Sequence, residues 1–71
     1  MDQRRWTIGI DWTDQGVCDT DEIVVLATSR REAEAKARQR WWKTNGAVWP
    51  DIRVCRVYAL RVGGRPLATE N

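Results

Sequence analysis

The chain has no histidine and no phenylalanine. Histidine is the commonest metal ligand and general base, and the one side chain whose ordinary pKa lies near neutrality. Without it there is no histidine-based triad, no Cys–His nucleophile and no histidine pH switch. Cysteine is scarce as well: Cys18 and Cys55 are the only two, far apart and in no Cys-x-x-Cys pair. A zinc site has too few ligands. In a reducing compartment both cysteines read as free thiols, since a disulfide needs Cα atoms within about 7 Å. No apolar run is long enough to span a membrane, and the charged N-terminus lacks a signal-peptide core. The expected setting is the cytoplasm, with no membrane contact.

Motifs for catalysis are missing too. There is no Gly-x-Ser-x-Gly elbow and no Gly-x-x-x-x-Gly-Lys phosphate loop, and no helix follows Gly63-Gly64 to complete a phosphate site. Five acids lie between residues 10 and 22, but their spacing departs from the calcium loop of an EF-hand. Carboxylates sit in a connecting stretch, on a helix and at the chain ends, so no desolvated acid pair stands out. The reading is a non-enzyme with no cofactor and no metal.

What is present is centred on Thr28 to Gly46. Ser29 with Glu32 fits a capping box, and Ala33, Ala35 and Ala37 are strong helix formers. Asn45-Gly46 is expected to end the helix in a left-handed conformation. At 100° per residue, Ala33, Ala37 and Trp41 share one arc, with Thr44 beside them, and suit packing on a sheet. Arg31, Ala35, Arg38 and Trp42 share the opposite arc. An aromatic ring between guanidinium groups serves as an interface anchor or as a stacking platform for a base. The plainer alternative is that Trp42 folds over the helix flank and shields the sheet edge.

The strands follow from periodicity. Trp6, Ile8, Ile10 and Trp12 alternate with Arg5, Thr7, Gly9 and Asp11, which predicts a strand over 5–12. Thr13 to Asp21 reads as a wide polar hairpin loop around Gln15-Gly16. Residues 22–27, with Ile-Val-Val-Leu, read as a strand covered on both faces: either it is central and shielded by other elements, or its far face meets another molecule, which argues for self-association. Pro50 marks the end of the connection after the helix, and Trp49 is placed to fold back toward Trp41. Residues 52–62 form a third strand of mixed parity. A bulge near Cys55-Arg56 would bring Ile52, Val54, Val57 and Ala59 to one side. Residues 63–71 read as a flexible tail after a single domain spanning 1–62.

The fold class is therefore α+β: a small β-β-α-β domain with a three-stranded, mainly antiparallel sheet of order 2-1-3 and one helix on one face. Such a domain buries only about 60% of its unfolded surface, so a partner or second copy would add support.

Charge is segregated. Residues 10–22 hold no basic residue, and residues 52–65 hold four arginines and no acid. Two lysines against ten arginines favour planar contacts with carboxylates or phosphates, although GC-rich coding produces the same bias. The function expected is a protein-interaction module, an inhibitor or adaptor docking through an Arg/Trp surface. Small enzyme-free proteins of phages and mobile elements, anti-CRISPR inhibitors among them, work in this way by class analogy. The alternative is nucleic-acid binding. The candidate partner-binding residues are Arg31, Arg38, Trp42, Arg56 and Tyr58, with a homodimer through the helix-free sheet face also in view.

Overall fold

The computed structural model describes residues 2–67. The element order is β1 (Arg4–Asp14), β2 (Val17–Ala27), α1 (Arg30–Asn45), β3 (Arg53–Val62) and β4 (Arg65–Pro66). They form one antiparallel sheet in the order β2-β1-β3-β4, with α1 crossing from β2 to β3 over the central strand. The α+β class and the 2-1-3 order are as expected; the sheet has four strands rather than three. The stretch read as a tail begins with a tight turn at Gly63-Gly64, both at positive φ, which lets β4 return along Arg61 and Val62. Leu67 N then donates to Leu60 O. The rest of that stretch, 68–71, lies outside the described residues.

The first hairpin is tighter than its composition suggests. β1 and β2 pair from Arg4↔Ala27 to Asp14↔Val17 without interruption. Only Gln15 and Gly16 remain to turn the chain, at φ 51° and 86°. Positive φ at both central residues matches the right-handed twist of the flanking strands. The acidic segment is therefore strand, not a wide loop: Asp14 ends β1, and Asp19 and Glu22 stand exposed on the edge strand β2.

Two bulges shape β3. Its partners on β1 slip between Asp11↔Arg56 and Trp12↔Val54, leaving Cys55 over, and again between Thr7↔Arg61 and Ile8↔Ala59, leaving Leu60 over. The first is the bulge expected near Cys55-Arg56. It keeps Val54, Val57 and Ala59 on the helix side across the parity break, and extra residues on one strand raise the local curl.

Ile8, Ile10, Val25, Ala27, Ala33, Ala37, Trp41 and Ile52 form the buried core. Ala33 and Ala37 carry no bulk, so the helix backbone approaches the sheet; Trp41 fills the wider end. Burying an indole requires a partner for its N–H, and Trp41 Nε1 donates to Asp21 Oδ2 at 2.6 Å. Thr44, read as flanking this arc, is exposed.

The helix start is as read: Ser29 Oγ accepts from Glu32 N at 3.2 Å, while the Glu32 carboxylate reaches back to Thr28 N at 2.6 Å. These Thr28 bonds, backbone first and hydroxyl second, hold the Glu32 carboxyl below its ordinary pKa against partial desolvation, with Lys36 adding a small attraction. The helix end differs. Gly46 is right-handed, φ −65° and ψ −32°, so conformational freedom is not why glycine stands there. A β-carbon at position 46 would overlap Trp42 Cδ2 and Cε2. Glycine makes room for the ring.

Candidate partner-binding groove

The helix presents Arg31, Ala35, Arg38 and Trp42 to solvent, with Trp42 49% exposed despite its seat on Gly46. It also stands 6.1 Å from the Trp41 ring, tilted by 40°. Between this face and β3 runs a groove made of two adjoining hollows. One, of about 580 Å³, is walled by Arg38, Gln39 and Trp42 over a floor of Ala35, Ile52 and Val54. The other, of about 550 Å³, is walled by Arg31, Glu34, Arg38 and Arg56. Ala35, Arg38 and Val54 belong to both.

The groove thus brings together Arg31, Arg38, Trp42 and Arg56, four of the five candidate residues, on an apolar floor. Among the described residues, neither Arg31 nor Arg38 has a carboxylate within ion-pair distance. The floor residues Ile52 and Val54 went unassigned to any site in the sequence because each reads simply as core. Val54 is half-buried and Ile52 belongs to the buried core; the small alanines of α1 leave the helix flank above them narrow.

Tyr58 lies elsewhere, on the helix-free face with the Arg56 guanidinium 4.3 Å above its ring. Here the charges are matched. Asp11 is the hub: Thr20 Oγ1 donates to its Oδ1 at 2.6 Å, Tyr58 Oη to the same oxygen at 2.9 Å, and Arg56 Nε lies 3.7 Å from Oδ2. The Thr20 hydrogen bond lowers the Asp11 pKa most; Tyr58 and Arg56 add to it, and together they outweigh desolvation. Along the same face Arg61 Nη2 donates to Glu22 Oε1 at 3.0 Å. Asp11 was read only as part of an acidic run. Its partners come from the two strands that flank β1, which no sequence spacing reveals.

Within the chain the apolar run in β2 is covered on one side only, so β2 is not a central strand shielded by other elements. Val25 and Ala27 face the helix, whereas Val24 and Leu26 are 48% and 54% exposed on the opposite face. Two carbonyls of this edge strand are bonded from the helix: Arg40 Nη1 donates to Val24 O and Lys36 Nζ to Leu26 O, both at 2.9 Å. Cys18 and Cys55 are exposed free thiols on strands separated by β1.

Among the described residues no group of three or more potential ligands gathers to hold a metal ion, and no helix is long and apolar enough to cross a membrane. Searches of known families, curated proteins and solved structures found no match for this chain.

Proposed function

We propose that the chain is a non-catalytic protein-interaction module that docks an acidic segment of a protein partner into the α1–β3 groove. One observation carries this reading: among the described residues Arg31 and Arg38 have no ion-pair partner, and they stand beside a half-exposed Trp42 on an apolar floor. Interfaces concentrate energy in Trp, Tyr and Arg anchors that become desolvated on binding, and truncating one costs about 2 kcal/mol or more. The arginines steer an acidic partner and fix its register, and the indole supplies most of the contact area. A small inhibitor or adaptor occupying one face of a larger protein fits this arrangement.

Nucleic acid is the second reading, through the same arginines or the Arg56–Tyr58 pair. The ion pairs Arg56–Asp11 and Arg61–Glu22 weigh against it, since these two arginines already face a carboxylate.

The test is capture from nuclease-treated lysate with the wild type, a groove variant (Arg38→Glu with Trp42→Ala) and a helix-free-face variant (Leu26→Ser). A protein retained by the wild type and Leu26→Ser chains and lost by the groove variant supports the proposal. Loss through Leu26→Ser alone moves the interface to the other face. Loss on nuclease treatment, with affinity falling by orders of magnitude as salt rises, supports nucleic acid instead.

A further inference from the structure

At the end of the molecule carrying the Gln15-Gly16 turn lies a separate hollow of about 370 Å³. Its walls are Trp12, Trp49, Val17 and Ile52, and its polar groups include the carboxylates of Asp14 and Asp21. Trp12 and Asp14 project to the helix side of β1, and Trp49 and Ile52 come from the segment after α1. The Gln15 side chain ties the two parts together, Nε2 donating to Asp51 Oδ2 at 2.8 Å. Asp21 is held in place by the Trp41 N–H. Neither Asp14 nor Asp21 makes an ion pair among the described residues, and no cation lines the hollow.

Two carboxylates beside two indoles, with no counter-charge, suit a positive ligand. A bare metal ion does not fit, because no cluster of three ligating groups exists among the described residues. The aromatic walls select instead a cation whose own surface is apolar. Such a cation sheds little hydration and is attracted by the negative ring faces. A strongly hydrated primary ammonium has no such advantage. Trp49, 53% exposed, is placed at the surface where an incoming group meets it.

We infer that this hollow binds a methylated ammonium head group, either free as a small quaternary amine or carried on a trimethylated lysine side chain. It shares only Ile52 with the larger hollow of the α1–β3 groove and is opposite to it in charge.

The experiment is a titration of the full chain followed by tryptophan indole N–H resonances. The probes are tetramethylammonium, a trimethyllysine amide, the neutral isostere neopentanol, and guanidinium at matched ionic strength. Saturable shifts of the Trp12 and Trp49 signals with either methylated cation at millimolar concentration are expected. Tighter binding of the lysine-borne group assigns a side-chain source, and the reverse assigns a free amine; both support the head-group class. Trp49→Ala weakens binding by about tenfold, the range of one desolvated cation–aromatic contact. Asp14→Asn weakens it several-fold with an unchanged backbone spectrum, which guards against a Trp49 variant that fails to fold. Equal shifts with neopentanol, equal affinity for guanidinium, or no saturable shift with either methylated cation would overturn the inference.

Discussion

The Tyr58 ring lies across the backbone of Gly9: a β-carbon there would stand 2.8 Å from Tyr58 Cε2 and Cζ. Gly9 and Tyr58 are cross-strand neighbours, and the missing side chain lets the phenol reach Asp11 two residues along β1. Glycine in mid-strand ordinarily weakens a sheet; here an aromatic ring covers it and recovers packing. Gly9→Ala is expected to destabilise by about 1–3 kcal/mol, the range of an overpacked site. Denaturant unfolding measures this, and a chain as stable as the wild type would show that the ring swings aside freely.

Asp11 makes the same cluster sensitive to acid. Its carboxyl pKa is depressed in the folded chain, so the stability it adds is present above the ordinary carboxylate range, about pH 4. That contribution is lost as pH falls through the folded value. Melting temperature should drop on acidification below about pH 4, and Asp11→Asn should flatten that part of the profile relative to the wild type. Glu32, also depressed, contributes with the same sign, so the variant removes only part of the slope.

Trp12 carries a defect. Its Nε1 is inaccessible to solvent and has no hydrogen-bond partner among the described residues. An orphaned buried donor costs about 1–3 kcal/mol, so a substitution that deletes it recovers some of the loss of ring area. Trp12→Phe is expected to change stability by less than about 1 kcal/mol, whereas Trp41→Phe, which breaks the bond to Asp21, should cost more. Equal losses in the two variants would contradict this contrast.

Gly46 offers a test by reversal. Alanine normally stabilises a right-handed helical position by about 1 kcal/mol over glycine. Because the Trp42 indole occupies the space, Gly46→Ala should destabilise the wild type and stabilise the Trp42→Ala chain. A double-mutant cycle reads the change of sign directly. The same effect in both backgrounds would mean that Trp42 does not rest on that backbone.

Much of the architecture could be read from local chemistry. Alternation gave the core of β1, the Ser29/Glu32 pair gave the helix start, and the parity break at Cys55 gave the bulge. The rest depended on neighbours. Asp19 and Asp21 disfavour a strand, yet they pair opposite Trp12 and Ile10 because β1 is a long template. Arg65 and Pro66 are too short a run to signal a strand, and form one because Gly63-Gly64 folds them onto β3. Proline suits that outer rim, where no further ladder bond is needed. For the candidate site, the helical stripe of Arg31, Arg38 and Trp42 followed from periodicity alone. That Arg56 would join it while stacking on Tyr58 depended on the register of β3.

The cations that α1 extends to β2 have an implication for growth. Exposed strand margins are where one chain adds to the next. With Lys36 and Arg40 already holding two carbonyls of β2, that margin offers little purchase to an incoming copy. Concentrating the protein should therefore not draw it into ribbons along β2, and neutralising both cations together should open that route.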